Sequence, residues 1–232
     1  MAGVIDTLES IIGEKRLRHN ELLDTHTILK TPVVAQMYVE IDKLDMLIQV
    51  IRSARETRIP VYLLGGGARV EAEEDIAGLV IKNACRRFDK IRTKGNKGNE
   101  NGEDQVLVFA ESGVNVNQLV RYTIEEGMEG LEYQLGLPGT VGGAIYTNAK
   151  YIPKYLLLNQ ALQSVSILNE EGELQSYSRE LPHFVYTDET WEETKDIILS
   201  AVFKLRPGDK KVLWARGEEA VAWREKEAKK KV

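Results

Sequence analysis

The first apolar positions of the chain, Ile5, Leu8, Ile11 and Ile12, recur at helical spacing and predict a short amphipathic helix. The pattern changes at Val34 to Ile41, where Val, Met and Tyr predict a strand. Asp42 is a candidate N-cap. Leu44, Leu47, Ile48 and Ile51 then share one face of a helix that reaches about Thr57. Pro60 stops that helix, and the apolar run Val61-Tyr62-Leu63-Leu64 reads as a buried strand. Strand, helix and strand make a βαβ unit that ends on Gly65-Gly66-Gly67.

Further along, Gly78 to Lys82 and Val106 to Ala110 are strand candidates. Between them, Arg92 to Asp104 is polar and glycine-rich and reads as a loop or hairpin tip, with Lys94 to Asn99 as either a phosphate contact or a solvated turn. Asn115 or Asn117 caps a helix through Leu119, Val120 and Tyr122 that Gly127 closes. Leu162 to Leu168, a turn at Glu170-Glu171-Gly172, and Glu173 to Tyr177 form a hairpin. Asp196 to Leu205 is another strand, Pro207-Gly208-Asp209 turns the chain, and Lys210 to Val232 is a charged helix.

Length and charge narrow the class. At 232 residues the chain makes one large domain or two small ones. A net charge of −5 argues against a dedicated nucleic-acid binder. Cys85 is the single cysteine, and the histidines lie apart at 19, 26 and 183, so neither a disulfide framework nor a Cys- or His-based metal site is expected. No uncharged stretch is long enough to cross a bilayer, and the N-terminus does not read as a signal peptide. These features predict a cytoplasmic α/β-type protein with no membrane or nucleic-acid partner.

Two glycine clusters carry the candidate chemistry. Gly65-Gly66-Gly67-Ala68-Arg69 follows a strand, so bare backbone N–H groups can approach an anion, with Arg69 adding a charge. A plain strand-end turn uses glycines in the same way. The second cluster runs from Gly130 to Ala149, with Pro138-Gly139 fixing a turn and Thr140 opening a helix whose first N–H groups suit a pyrophosphate. Close helix–sheet packing is the other use of Gly142-Gly143.

The order of these pieces resembles the UDP-N-acetylenolpyruvoylglucosamine reductase family, also called UDP-N-acetylmuramate dehydrogenases. His26-Thr27-Ile28-Leu29-Lys30 is similar to the family's H-T-T-F-K, Pro60 to Arg69 to its I-P-V-x-x-L-G-G-G-S-N, and Gly113-Val114-Asn115 to its G-A-G turn. Gly130 to Ala149 resembles G-L-E-x-x-x-G-I-P-G-T-V-G-G-A-x-x-x-N-A, the most specific match. Ser164 to Gly172 and Ile197 to Leu205 follow in family order, so the resemblance runs from about residue 20 to residue 224.

The resemblance implies an α+β fold of the vanillyl-alcohol-oxidase (PCMH) type. It places FAD between subdomains at residues 20–95 and 96–208, with a C-terminal helix at 209–232. It implies that Gly65, Gly66, Gly67, Ala68 and Arg69 surround the pyrophosphate. Gly113, Gly136, Pro138, Gly139, Thr140, Gly142, Gly143 and Ala144 line the adenine-ribose and flavin side, and Asn148 and Ile198 lie near the flavin. In the family NADPH reduces the flavin, which passes hydride to the enolpyruvyl group of a UDP-sugar in peptidoglycan synthesis.

The sequence departs from the family in four places. Thr31-Pro32-Val33 replaces a glycine pair, which predicts an obstructed approach to the cofactor. The family's G-G-G-S-N reads Gly65-Gly66-Gly67-Ala68-Arg69. The family's substrate-polarising arginine, in F-G-Y-R, is Thr187 in Phe184-Val185-Tyr186-Thr187. The family's serine proton donor and late glutamate belong to a third, substrate-binding domain whose motifs do not occur in these 232 residues. Loss of a general acid costs about 10²–10⁴ in rate. The expectation is therefore retained FAD binding with weakened reductase activity, a separate chain or self-association replacing that domain; the alternative is a non-catalytic FAD-binding or interaction protein. Among single residues, Cys85 reads as an inert, partly buried cysteine, with a covalent flavin anchor or a redox thiol as the other readings, His26 as a hydrogen-bonded structural histidine, and His183 as a loop residue. Tyr146 and Tyr186 are either ring-stacking or packing residues.

Overall fold

The structure is a computed structural model and describes residues 2–13, 15–68, 74–91, 105–178 and 194–230. It is an α+β fold built on two sheets. The elements of the first sheet are β1 (Arg18–Leu22), β2 (Val34–Ile41), β3 (Val61–Leu64) and β4 (Ile76–Asn83), in the order β1-β2-β4-β3. Helix α1 (Ala2–Ile12) and helix α2 (Leu44–Glu56) pack against each other beside this sheet. The apolar stripe of α2 explains its placement: Leu47, Ile48, Val50, Ile51 and Ala54 are all buried. They join Leu8, Ile12, Val39, Ile41, Leu79 and Ile81 in one core.

The βαβ unit is present, with one difference in its pairing. Strands β2 and β3 do not touch; β4 lies between them, parallel to both. Strand β3 is thus a sheet edge, and Tyr62 and Leu63 are exposed where a buried strand was expected. Asp42 does not cap α2. The N-cap is Lys43, whose side chain makes no capping bond, and Asp42 instead pairs with Arg16 at 3.4 Å.

The second sheet runs β11-β10-β12-β6-β5, with β5 (Phe88–Ile91), β6 (Val106–Glu111), β10 (Leu162–Leu168), β11 (Leu174–Ser178) and β12 (Ile197–Pro207). The short strand β7 (Met128–Glu129) pairs the far end of β12, and β8 (Lys150–Tyr151) pairs β9 (Leu156–Leu157). Because β5 belongs to this sheet, the chain changes sheets between Asn83 and Phe88, short of the boundary expected at 95. Helix α3 (Val116–Glu125), the single-turn-and-a-half helix α4 (Val141–Tyr146) and helix α5 (Lys210–Lys230) cover the sheet. Asn115 caps α3 by accepting from Gln118 N–H at 3.2 Å, and Gly127 ends it at φ +67°.

Helix α5 has few apolar residues, yet it docks firmly. Leu213 and Ala220 are buried, and Gly217 lets Leu135 and Ile124 approach. Arg216 donates to Glu129 at 2.5 Å and to the buried Glu132 at 3.1 Å. Burial pushes Arg224 down to about 10, and its guanidinium donates to Leu135 O at 2.8 Å.

The two sheets are tied together by contacts that are local in space and remote in sequence. Leu168 and Leu199 of the second sheet complete the core under α2. Arg55 of α2 donates to the carbonyls of Asn169 and Lys195, and Arg52 to that of Gly172. Ser112 N–H donates to Leu199 O at 2.9 Å, fixing the turn after β6 where the sheets meet.

Candidate functional site

The turn after β3 and the turn before α4 meet face to face. A Cβ placed on Gly65 would lie 2.6 Å from Thr140 Oγ1, and one on Gly66 would lie 2.6 Å from Gly139 Cα. The first is an approach of backbone to a side-chain hydroxyl and the second of backbone to backbone, and both leave room only for glycine. Gly67, at φ +67°, sits equally close to His26 O, and its carbonyl accepts from Ile28 N–H at 2.8 Å. Among the described residues, the N–H groups of Gly66 and Gly67 have no acceptor. Two successive free donors of this kind suit an anion.

Beside this contact lies a cleft of about 280 Å³, lined by Gly65, Gly66, Lys82, Asn83, Arg86, Gly113, Asn115, Gln118 and Thr140. Both sheets contribute to it. In the parallel register Leu64 pairs with Lys82, so the end of β4 lies beside the glycine turn. Gly113 is required by packing as well: its Cβ would meet Cys85 O at 2.5 Å and Asn83 Oδ1 at 2.7 Å. Asn83 Nδ2 donates to Ser112 Oγ at 2.8 Å, and its Oδ1 accepts from Cys85 N–H, so this side chain braces the cleft floor.

Lys82 is half-buried, and its Nζ donates to His26 O at 3.3 Å. Burial lowers its pKa, the nearby Arg86 lowers it further, and Glu40 opposes both. His26 itself is held on three sides. It stacks on Tyr38 with ring centroids 4.4 Å apart, its Nδ1 accepts from Tyr38 OH at 3.1 Å, and its Nε2–H donates to Glu21 at 2.9 Å. The hydrogen bond from His26, with help from Arg18, holds the Glu21 carboxyl below its ordinary range. The structural reading of His26 therefore fits what is seen. Cys85 is fully buried, and burial pushes its thiol up to about 12, which leaves it inert at neutral pH.

The sequence-predicted residues divide into groups. Gly65, Gly66, Gly113 and Thr140 line the cleft, with Gly67, Ala68 and Gly139 at its edge. Gly136 lies elsewhere: at φ +84° it packs on Val221 of α5, and its N–H donates to Asn117. Gly142 packs on Ser112, Gly143 is exposed with only Thr140 Oγ1 within reach of a Cβ, and Pro138 is exposed. Ala144 and Ile198 are core residues in the second sheet's cluster. Tyr146 packs against that same cluster. Asn148, at φ +40°, has a buried Oδ1 with no donor among the described residues. Arg69, His183, Tyr186 and Thr187 lie outside the described residues, as does the 92–104 loop.

Two expectations need correction. The start of α4 is not open to a pyrophosphate. Its first N–H groups are already spent: Val141 donates to Val114 O and Gly142 to Ser112 O, each at 2.8 Å, while Gly143 donates to Thr140 Oγ1 at 3.5 Å. The replacement of a glycine pair by Pro32-Val33 also does not block the cleft. Val33 is buried with Leu23, Tyr38, Leu64 and Val80, Pro32 is exposed, and neither lines the cavity.

Lys82, Asn83, Arg86, Asn115 and Gln118 were not among the predicted site residues. Asn115 stands in the Gly113-Val114-Asn115 turn and reads as a helix cap; for the others the sequence signal is a charge, Lys82, ending the apolar run Leu79-Val80-Ile81. Among the described residues, no group of His, Cys, Asp and Glu is arranged to hold a metal, and no helix is long and apolar enough to cross a membrane.

Comparison with known proteins gives a family and a fold. Residues 35–178 match the family model described as "FAD binding domain". The chain is 29% identical over 223 residues to a UDP-N-acetylenolpyruvoylglucosamine reductase of Geobacillus kaustophilus, covering 96% of this chain and 69% of that protein. It is 30% identical over 203 residues to the protein of that name from Lactobacillus johnsonii, covering 87% of this chain and 64% of that protein. The chain thus spans about two thirds of the length of these curated relatives. Among solved structures it is similar to UDP-N-acetylenolpyruvylglucosamine reductase from Thermus caldophilus, with a TM-score of 0.64 and 23% identity over 90% of this chain and 70% of that one. It is also similar to p-cresol methylhydroxylase, with a TM-score of 0.60 and 14% identity over 89% of this chain and 43% of that one. These likenesses establish the two-sheet fold of the vanillyl-alcohol-oxidase type that the sequence motifs implied.

Proposed function

The chain belongs to the FAD binding domain family, and from that premise we propose that its cleft holds FAD and that the protein is an oxidoreductase related to UDP-N-acetylmuramate dehydrogenase. The observation that carries this reading is the apposition of Gly65-Gly66 to Gly139-Thr140, which brings side-chain-free backbone from both sheets to one cavity. Two features fit a large polar cofactor. The N–H groups of Gly66 and Gly67 lack acceptors, and the buried Oδ1 of Asn148 lacks a donor, among the described residues. An uncompensated buried acceptor costs about 1–3 kcal/mol, so a donor from a ligand is worth a comparable amount.

Bound FAD supplies hydride-transfer chemistry, for which NADPH is the proposed donor and the enolpyruvyl group of a UDP-sugar the proposed acceptor. The chain's own part is to bind and orient. Gly65 to Ala68 would hold the diphosphate, with Gly113 and Thr140 on the other sheet's side of the cleft, and the unpaired Oδ1 of Asn148 would accept from the cofactor. Gly136, Ala144 and Ile198 support this arrangement from the packed side of the second sheet. On this reading the protein is a flavoprotein of peptidoglycan-precursor synthesis, acting in the cytoplasm.

The absorption spectrum of freshly purified protein tests the first step. A flavin band, or a rise in melting temperature on adding FAD, is expected; absence of both refutes the reading. A second reading, FAD binding without turnover, is favoured by Thr187 at the position of the family's arginine. Bleaching of the flavin by NADPH, followed by reoxidation with the UDP-sugar enolpyruvate, distinguishes turnover from binding alone.

A further inference from the structure

We infer that Lys82 and Arg86 form a cationic wall to the cleft and pair with the two phosphates of a nucleotide diphosphate. The inference deepens the FAD reading and rests on it for the flavin part of the ligand. The anion site itself rests on the charges and free donors of the cleft.

Lys82 and Arg86 line the same cavity as Gly65 and Gly66. Lys82 is half-buried, yet its one hydrogen bond among the described residues is to a neutral carbonyl, His26 O at 3.3 Å. Among the described residues neither cation makes an ion pair. The nearby carboxylate of Glu111 is taken by Arg87, through its backbone N–H at 2.8 Å and its guanidinium at 3.6 Å. Two like charges therefore share a glycine-lined cleft, one of them partly desolvated, with Glu40 acting on Lys82 only from beyond ion-pair distance. That arrangement is unfavourable until an anion enters.

The neutral lining matches the same ligand. Gly66 and Gly67 offer free N–H donors. Asn115 and Gln118 add polar groups without adding negative charge. A diphosphate carries two negative charges and presents oxygens on several sides, so it meets both the cations and the turn. The approach of Lys82 to the turn is set by the parallel β3–β4 register, with Leu64 opposite Lys82, which makes its position a property of the sheet.

The test uses the full chain and three probes: FAD, riboflavin, and inorganic pyrophosphate. Flavin binding is read by fluorescence quenching, and pyrophosphate binding by calorimetry. Lys82→Met is expected to weaken FAD and pyrophosphate about 10- to 100-fold, the usual worth of a charged hydrogen bond. Arg86, being exposed, should matter less, with Arg86→Gln losing about 3- to 10-fold. Lys82→Arg should retain most of the affinity, and riboflavin should bind all variants alike. FAD and pyrophosphate affinities that stay within about twofold of the parent in Lys82→Met and Arg86→Gln overturn the inference. Should Lys82→Met fail to fold, Arg86→Gln and Lys82→Arg carry the same comparison. If the parent binds pyrophosphate but neither flavin, the FAD reading fails and the anion site stands. If the parent binds FAD and the variants are unaffected, the reading stands and this inference falls. If the parent binds none of the probes, both fall.

Discussion

Replacing Gly66 by alanine adds one methyl group at the place where the two glycine turns touch. That Cβ would lie 2.6 Å from Gly139 Cα, 3.2 Å from Gly139 C and 3.5 Å from Gly139 N. All three atoms are backbone, so no side chain can swing aside. The turns must separate by about 1 Å to restore ordinary van der Waals contact. Gly139 cannot yield freely, because its carbonyl accepts from Val116 N–H and its neighbour Thr140 caps α4. Overpacking of this kind costs about 1–3 kcal/mol. For a chain of this length that is a drop of about 2–4 °C in Tm for each kcal/mol. Gly66 does not occupy the left-handed region, so the cost is steric and not conformational. Gly143→Ala is the matched control. Its Cβ would meet only Thr140 Oγ1, at 3.7 Å, and helix propensity favours alanine by about 0.5–1 kcal/mol. The expected outcome is a destabilised Gly66→Ala with weakened flavin binding, next to a Gly143→Ala as stable as the parent or more so. Urea and thermal unfolding with flavin titration check both. A Gly66→Ala protein that matches the parent in stability and flavin affinity would refute the apposition of the two turns.

Cys85 should react slowly with thiol reagents at pH 8 in the folded protein and rapidly after unfolding. Its folded pKa, about 12, exceeds the unfolded value near ~8.5, so the unfolded chain loses this proton first as pH rises. The stabilising contribution is whole below ~8.5 and falls by about 1.4 kcal/mol per pH unit above it. The stability advantage of the parent over Cys85→Ala should shrink accordingly between pH 8.5 and 10. Arg216→Met leaves the buried Glu132 carboxylate without its cation, and urea unfolding should report a loss of about 1.5–3 kcal/mol. Glu21 works in the opposite pH range. Its carboxyl is held low by His26 and Arg18, so its contribution is present above ~4.3 and lost as pH falls through the depressed value. Glu21→Gln should flatten that acid limb of the stability profile.

Several features of this protein are legible from local chemistry. The amphipathic stripe of α2 predicts a buried face, and Asn115 caps α3 as its position before the apolar run implies. The 162–177 hairpin follows from two apolar-alternating runs around Glu170-Glu171-Gly172. These features are readable because each depends on contacts between residues near in sequence. The glycine clusters were also legible, as places where backbone must come close to something.

What each glycine comes close to was decided only by the tertiary fold. Gly66 meets Gly139 across the sheets, while Gly136 meets Val221 on α5 and Gly142 meets Ser112. Nothing local to these three residues separates them. Strand β3 has the apolar composition of a buried strand, yet β4 takes the central position and leaves β3 at the edge. The donors at the start of α4 are free in any isolated helix, and the carbonyls of Ser112 and Val114 consume them here. Lys82 reaches the cleft because parallel pairing sets it opposite Leu64. The sequence by itself determined the amphipathic helices, the apolar strands and the bare backbone, since those are short-range steric preferences, whereas the largely polar strands β1 and β5 form through their sheet partners. Only packing over long sequence separations determined which bare backbone faces an open cavity and which faces protein.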